Sequence, residues 1–333
     1  MRRWLMSSFR VVGVAAVVAV ILTAPASPAA AQTKVAPALR TADGQPDLQG
    51  FWTNLNNVPL ERPKQLGAKE FYTKEELAEI AKRPFQGDRA VLPEAHYDLS
   101  QFGLDATQGK AAPNLRTSLI VGPEGTIPPL TPEARQRLAS AAAKAKGHEF
   151  DGPENRPLGE RCIVWPKEGP PMMSSAYNND LQIVQAPGYV AILQEMIHDV
   201  RIIPLAPSTG AGSPHPPSTV RQWLGDSRGH WEGNTLVVDT TNFKEGFSFH
   251  GSTANIHVIE RFTRNSPDAI TYEFTVDDPA TWVKPWTAQL QMAKIPGPIF
   301  EYACHEGNYG MANNLSGERA LEAQAAAKAK GAK

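Results

Sequence analysis

The sequence predicts a mainly β protein whose core is an antiparallel barrel or a sandwich. From Arg161 onward, short apolar runs alternate with polar residues, and turn signals separate these runs at short intervals. The chain also holds 29 prolines and 26 glycines, which favour many turns and few long helices. About eight strands are expected. We favour a barrel because the strands carry polar residues on both faces and a barrel can enclose a wet pocket.

Residues 1–31 are predicted to be a signal peptide that is removed on export. Arg2, Arg3 and Arg10 supply positive charge beside the apolar stretch Val11–Leu22, which is too short for a comfortable membrane span. Ala29-Ala30-Ala31 fits the small-residue pattern of a cleavage site. We therefore expect a protein of the periplasm or a secreted protein, with no membrane attachment after cleavage.

Residues 32–152 are predicted to form an irregular, proline-rich segment with short helices that packs on the core. A first strand is expected at Asp47–Trp52, where the Gly50-Phe51-Trp52 run resembles the start of calycin or lipocalin-like barrels. Thr73 is suited to cap one short helix, and Thr131, followed by proline and glutamate, is suited to cap a second.

Residues 153–319 are predicted to form the β core, and residues 320–333 a frayed or disordered tail. The cleanest alternation lies in Ala269–Asp277, where apolar and polar side chains change places at every residue. The other strands are expected on both sides of the turn 186–189, at 219–226 and 234–242 around the turn 226–229, and at 256–264, 287–293 and 300–304.

Charge and cysteine content narrow the function classes. The formal net charge is -1, without the clustered lysines and arginines that a nucleic-acid surface needs. Cys162 and Cys304 are the two cysteines, and in an exported protein we expect them to form one disulfide. Closing a loop of this length could contribute about 4–5 kcal/mol in the chain-entropy model. The alternative is a reactive Cys304 beside His305.

Several segments of the core resemble an uncharacterised family of exported, β-rich bacterial proteins that are numerous in soil bacteria. These segments are YNNDLQIVQ, QEMIHDVRIIPL, WLGDSRGHWEGNTLVVDTTNF, FTVDDPATWVKPWT and EYACHEGNYGMANNLSGER. They span most of 161–319, and the resemblance is looser in the N-terminal part. It implies an exported β-rich protein and carries no mechanism, so the chemistry has to be argued from the residues.

The first candidate site is the run Glu195–Arg201, which places an acid, a base and a cation among apolar neighbours. His198 is expected to be the general base or acid, Asp199 or Glu195 its orienting partner, and Arg201 the holder of an anion or oxyanion. If the run stays extended, His198 faces away from both carboxylates unless a bulge intervenes. The alternative is an internal salt bridge of Asp199 or Glu195 with Arg201, and a histidine with satisfied hydrogen bonds in the core.

The second candidate site is the pair His305 and Glu306. A disulfide at Cys304 would hold this pair rigidly, which suits a second proton-transferring pair, with Tyr177 as an alternative proton donor. The alternative is an ordinary surface turn after the last strand.

Aromatic and amide side chains are the candidates for binding a substrate. Tryptophan and tyrosine offer a large apolar face with a polar tip, and asparagine adds amide donors and acceptors. Trp223 and Trp231 belong to the same aromatic set, but ordinary core packing explains part of it. The residues expected to bind substrate are Tyr177, Asn178, Asn179, Trp282, Trp286 and Tyr309.

No cofactor and no metal are expected. His230, His250 and His257 lack the spacing of a zinc site, and Asp277-Asp278 lacks the spaced acidic loop of a calcium site. The nucleophile elbow, the P-loop, the glycine-rich dinucleotide turn and the haem-attachment motif are also missing from the sequence.

The function expected from these residues is an exported, cofactor-independent enzyme. It would act on a small apolar or aromatic organic molecule by histidine and carboxylate acid–base chemistry, as a lyase, an isomerase or a hydrolase. The alternatives are a periplasmic binding or carrier protein for a small apolar ligand and, less favoured, a structural envelope protein without a pocket. The substrate and the oligomeric state stay open.

Overall fold

A computed structural model describes residues 39–56, 58–81, 114–165, 167–175, 177–206 and 214–331. The predicted signal peptide, residues 1–31, lies outside the described residues. None of the helices in the described ranges is long and apolar enough to cross a membrane.

Nine antiparallel strands form one sheet in the described part of the chain, which confirms the mainly β class. Their order across the sheet is β4-β3-β2-β1-β9-β8-β7-β6-β5. The strands are β1 Gly50–Thr53, β2 Asp180–Ala186, β3 Tyr189–Gln194, β4 Val200–Pro204, β5 Asp226–Glu232, β6 Thr235–Thr241, β7 His257–Ser266, β8 Ala269–Asp277 and β9 Trp286–Ile295. The helices are α1 Lys74–Ala81, α2 Pro132–Ala145 and α3 Tyr309–Gly331.

The helix starts follow the predicted capping. The Thr73 hydroxyl accepts a hydrogen bond from the backbone N–H of Glu76, and the Glu76 carboxylate accepts one from the N–H of Thr73, which makes a reciprocal capping box. The Thr131 hydroxyl accepts from the N–H of Ala134 at 3.0 Å, with Pro132 at the first helical position. Short-range signals therefore identified both helices.

The sheet curls so strongly that distant strands touch through its interior. Arg201 on β4 contacts Glu260 on β7 at 2.5 Å, although six strand-to-strand steps separate β4 from β7. In a flat sheet those steps would span roughly 29 Å. The alternating strands turn one side inward, where Trp52, Ile192, Phe262, Tyr272, Phe274 and Leu290 are all fully buried.

The predicted closed barrel is not formed by strand pairing. Within the described residues, β4 and β5 are the two edges of the sheet, and they meet at one isolated parallel bridge between Leu205 and Gly229. Gly229 permits this approach because a Cβ there would lie 2.7 Å from Leu205 and 3.0 Å from Ile203. The sheet is therefore open along most of the boundary between β4 and β5.

The turn predicted at 226–229 is wrong, and so is the strand predicted at 219–226. Gly229 lies within β5 because its lack of a side chain serves the close approach of β4, and the real turn follows at Gly233, whose φ of 61° favours glycine. Trp223 and Leu224 are apolar because they pack against the core from a loop.

One further segment differs from its prediction. Residues 300–304 form no strand in the described structure, because Pro296 and Pro298 interrupt the chain after β9 and remove backbone donors. The exposed helix α3 extends into the predicted C-terminal tail as far as Gly331.

The predicted disulfide between Cys162 and Cys304 is confirmed. It joins residues 142 positions apart and ties the segment after β9 to the loop before β2. Asn308 reinforces this link, since its side-chain amide donates to the backbone oxygen of Glu160 at 2.8 Å.

The buried pair of Arg201 and Glu260 yields a stability prediction. Arg201→Met leaves the Glu260 carboxylate in the interior without its cation, so we expect the free energy of unfolding to fall by about 3–5 kcal/mol. The double variant Arg201→Met, Glu260→Gln removes the stranded charge and is expected to recover much of that loss. Urea unfolding of the parent and of both variants measures these differences; an Arg201→Met variant as stable as the parent would show that the buried pair contributes no stability.

Candidate functional site

The open boundary between β4 and β5 contains a cleft of about 440 Å³, which we call the seam cleft. A volume of this size is typical of small-molecule sites. One wall is the start of β4, and the other is the loop that leads into β5 together with Lys244. The lining residues are Ile163, Asp199, Val200, Arg201, Ile202, Arg221, Gln222, Trp223, Leu224, Gly225, Asp226, Ser227 and Lys244.

The loop wall is held in place by backbone bonds to the segment after β6. Gln222 and Phe243 form an isolated parallel β-bridge. The backbone N–H of Lys244 donates to the backbone oxygen of Gln222 at 2.7 Å. The Lys244 ammonium lies 4.7 Å from the centre of the Trp223 ring, a cation–π contact. Trp223 thus presents an aromatic surface beside a positive charge.

The β4 wall begins with a break in the chain that the sequence did not predict. The run Glu195–Arg201 does not stay extended, because Met196–His198 form a single 3-10 turn between β3 and β4. Ile197 and His198 adopt left-handed conformations with φ of 60° and 64°, which are uncommon for residues with side chains. The turn leaves His198 exposed while Glu195 is buried and Asp199 is half-buried.

The carboxyl groups of Glu168 and Asp199 influence each other's pKa. Glu168 is only 2% exposed, and burial raises its pKa to about 8, with the nearby charge and hydrogen bond of Asp199 adding to the rise. Burial also raises the pKa of Asp199, while the hydrogen bond from Glu168 counters part of that rise. Near neutral pH Glu168 therefore keeps its proton.

The geometry of Glu168 fits this assignment. One carboxyl oxygen, Oε2, accepts a hydrogen bond from the backbone N–H of Trp165 at 2.9 Å. The other, Oε1, is buried and meets no donor in the described residues, which leaves it free to carry the proton. The backbone oxygen of Glu168 accepts from the Gln194 side chain at 2.6 Å, which fixes the loop against the end of β3.

A small polar cavity of about 10 Å³ lies on the other side of Glu168. Asn54 Oδ1, Glu168 Oε1 and Asn179 Nδ2 are buried there without a hydrogen-bond partner among the residues described. The cavity has room for about one water molecule, and these atoms supply the donor and acceptors that a water needs. The carboxyl pair therefore lies between this cavity and the seam cleft.

A second pair of carboxyl groups, Asp180 and Glu195, lies where β2 and β3 meet. Burial raises the pKa of Asp180 to about 6, opposed by a hydrogen bond from Thr53 and reinforced by the charge of Glu195. Burial likewise raises the pKa of Glu195, although its carboxylate accepts a hydrogen bond from the Asn178 side chain at 3.0 Å. Four acidic groups with raised pKa values therefore occur around one end of this hairpin.

The structure brings part of the predicted site together. Glu195 and Asn178 are bonded to each other, and Asn179 lines the small cavity beside Glu168. Tyr177 packs near Trp165, with ring centres 6.5 Å apart.

Other predicted site residues lie apart from the seam cleft or have different partners. Arg201 is buried and donates to both carboxyl oxygens of Glu260. His305 and Glu306 lie in an exposed turn, and Tyr309 is 75% exposed at the start of α3. Arg201 thus forms an internal salt bridge, but with Glu260 rather than with Asp199 or Glu195. The exposed positions of His305 and Glu306 agree with the surface-turn alternative.

Trp282 and Trp286 pack in an aromatic cluster away from the seam cleft. Their ring centres are 5.6 Å apart, and Trp286 stacks on Phe249 at 5.9 Å. Trp286 also lines a separate cavity of about 460 Å³ beside the loop 120–129.

The three histidines considered for a metal do not converge. His230 contacts Glu232, His257 contacts Asp239, and His250 packs edge-on against Phe249. In the parts of the chain that the structure describes, no group of three or more histidine, cysteine, aspartate or glutamate side chains is arranged to hold a metal ion.

Sequence reasoning missed Glu168 and Lys244 and gave little weight to Trp223. Glu168 stands next to a lysine and before two prolines, a pattern typical of a surface turn, and no periodicity marks it as buried. The two large apolar residues Trp223 and Leu224, which precede a glycine, could have indicated a loop packed on the core, but we assigned them to a strand.

Comparisons with known proteins do not suggest a function for this site. No family model and no curated protein matches the sequence. The chemistry is therefore argued from the geometry alone.

The raised pKa of Glu168 predicts how stability depends on pH. The folded protein keeps this proton up to about pH 8, whereas an unfolded glutamate loses it near its usual pKa of about 4.3. The contribution of the protonated Glu168 carboxyl to the free energy of unfolding is thus complete at low pH and is lost as the pH rises through about 8. Glu168→Gln cannot ionise, so at pH 9 its melting temperature is expected to exceed that of the parent by roughly 5 °C, with a smaller difference at pH 5.

Thermal melting between pH 5 and pH 9 provides this measurement. Glu306→Gln, which neutralises an exposed carboxylate, is the matched control and should follow the parent curve. Parallel curves for the parent and Glu168→Gln would show that Glu168 ionises normally in the folded protein.

Proposed function

We propose that the protein is a cofactor-independent acid–base enzyme that acts on a small organic molecule in the seam cleft. The observation that supports this best is the buried carboxyl group of Glu168, whose pKa is raised to about 8 and which interacts with Asp199 on the wall of a cleft of about 440 Å³. A group that holds a proton near neutral pH is suited to giving and taking one during turnover.

Each member of the pair has a distinct role in the proposed reaction. Asp199, which lines the cleft, is the base that removes a proton from the substrate. Glu168, buried behind it, opposes the rise in the pKa of Asp199 and so influences how strongly that base holds the proton. The pair then returns the proton to the product or to a leaving group, so isomerisation, elimination and hydrolysis with water all balance without another reagent.

The proposal changes the role first expected for His198. Its ring is exposed beside the 3-10 turn, and it is not among the residues that line the cleft. Asp199, expected to orient a histidine, becomes the base, and Glu168 takes the place of the orienting partner. A substitution of His198 therefore serves as a control for the substitution of Asp199.

We also propose that the sheet is an incomplete barrel whose open boundary is the entrance to the site. The contact between Arg201 and Glu260 through the interior supports this shape. The proposed location is the periplasm or the exterior of the cell, and the disulfide between Cys162 and Cys304 supports it because such bonds persist in oxidising compartments. The proposed partner is a small molecule rather than a nucleic acid.

A carrier for a small ligand is the second candidate function. One observation favours it: the charged groups Arg201 and Asp226 on the cleft walls already have structural partners, Glu260 and Arg228. A carrier would bind its ligand saturably and release it unchanged, whereas an enzyme would convert it with a bell-shaped dependence on pH.

Asp199→Asn is the decisive variant. Loss of the base is expected to lower the turnover rate by about 100-fold to 10000-fold, because positioned proton transfer contributes on that scale. Conversion of a library of small organic molecules by the purified protein, followed by mass spectrometry with and without chelator, identifies a substrate for the comparison. With that substrate, turnover in the parent is expected to decline above about pH 8, where Glu168 ionises.

His198→Ala and Glu306→Gln are the controls, and both are expected to keep most of the activity. Equal activity of Asp199→Asn and the parent would reject the proposed base. Loss of activity in His198→Ala alone would return the histidine to the catalytic role.

A further inference from the structure

We infer that the substrate of the seam cleft is a small organic anion with an apolar body, and that Arg221 and Lys244 bind its charged group. This inference rests on the proposed function of the cleft and adds the class of substrate. It follows from an imbalance of charge between the two walls of the seam cleft.

Arg221 carries a positive charge that no carboxylate in the described structure neutralises. Its guanidinium donates to the backbone oxygens of Phe243 and Ala254 at 2.8 and 2.7 Å, and to the side-chain oxygen of Asn255 at 2.8 Å. All three acceptors are neutral. They fix the guanidinium rigidly at the cleft without cancelling its charge.

Lys244 adds a second uncompensated charge to the same wall. Its ammonium lies over Trp223 and forms no ion pair with any residue that the structure describes. The side chain is exposed, so it can turn toward a bound anion while its aliphatic part stays on the ring.

Two other charged groups of the cleft are already balanced by partners. Arg201 is paired with Glu260, and Asp226 accepts two hydrogen bonds from Arg228 at 2.7 and 2.8 Å. Asp199 lies on the opposite wall of the cleft. The wall around Trp223 therefore carries a net positive charge that complements an anionic ligand.

The β4 wall supplies the apolar half of the site. Val200 is 50% exposed and Ile202 is 61% exposed, and both line the cleft. Ile163 and Leu224 extend this apolar surface. An anion attached to an aromatic ring or a short hydrocarbon would place its charge near Lys244 and its apolar body on this surface, with Asp199 within the same cleft.

Benzoate and benzamide test the inference directly, because they have nearly the same shape and differ in charge. Binding is measured by ligand-observed NMR titration with the parent, with Lys244→Gln and with Lys244→Glu. We expect benzoate to bind the parent more tightly than benzamide does. The Lys244→Gln variant should bind benzoate roughly tenfold more weakly than the parent, and the Lys244→Glu variant more weakly still. The affinity for benzamide should change little.

Lys284→Gln is the matched control, since Lys284 is also an exposed lysine beside a cavity but lies at the loop 120–129. It should leave benzoate binding unchanged. Equal binding of benzoate and benzamide to the parent, or equal effects of the Lys244 and Lys284 variants, would overturn the inference. Because these variants alter the surface, circular dichroism verifies that each one is folded.

The outcome can be separated from that of the proposed enzyme. If benzoate binding depends on Lys244 but the Asp199→Asn variant converts substrates as well as the parent does, the anion site is supported and the proposed catalytic pair is rejected. If Asp199 is essential for turnover, but the converted compounds are neutral and the Lys244 variants convert them as well as the parent does, the enzyme is supported and the anion site is rejected.

Discussion

The contact between Arg201 and Glu260 is the interaction on which the rest of the architecture depends. It joins β4 to β7 through the interior, and the Tyr272 hydroxyl donates to the same carboxylate at 2.7 Å while accepting from the backbone N–H of Met172. A buried ion pair is stable only when its remaining hydrogen bonds are made. This network therefore fixes the curl of the sheet and the position of the loop around Met172 together, and with them the edge of β4.

The acidic groups of the site follow from the same arrangement. Glu168 belongs to the loop that Tyr272 anchors through Met172, and Gln194 at the end of β3 binds the Glu168 backbone. The loop is thereby pressed against the turn that carries Asp199. Burial of these carboxyl groups costs stability, and the same burial raises their pKa values toward neutrality. Fold and proposed chemistry thus share one physical cause.

Local signals made much of the fold predictable. The alternation in β8, the capping residues Thr73 and Thr131, and the turn between β2 and β3 act over a few residues, and the expectation of export led to the predicted disulfide. The site depends on long-range facts instead. Arg201 faces Glu260, 59 positions away, and Glu168 is buried only because distant strands enclose its loop. The break at Ile197 requires a positive φ that the residue type does not suggest.

The incomplete closure of the sheet can be understood from its two ends. Gly229 has no side chain, so Leu205 can approach β5 and form the parallel bridge there. Earlier in both strands, Asp226 and Arg201 use their side chains for Arg228 and Glu260, and the loop with Trp223 occupies the space beside β5. Continuous pairing of β4 with β5 would cover Asp199 and separate it from solvent. The open boundary between β4 and β5 therefore gives small molecules access to Asp199, beside which Glu168 is buried.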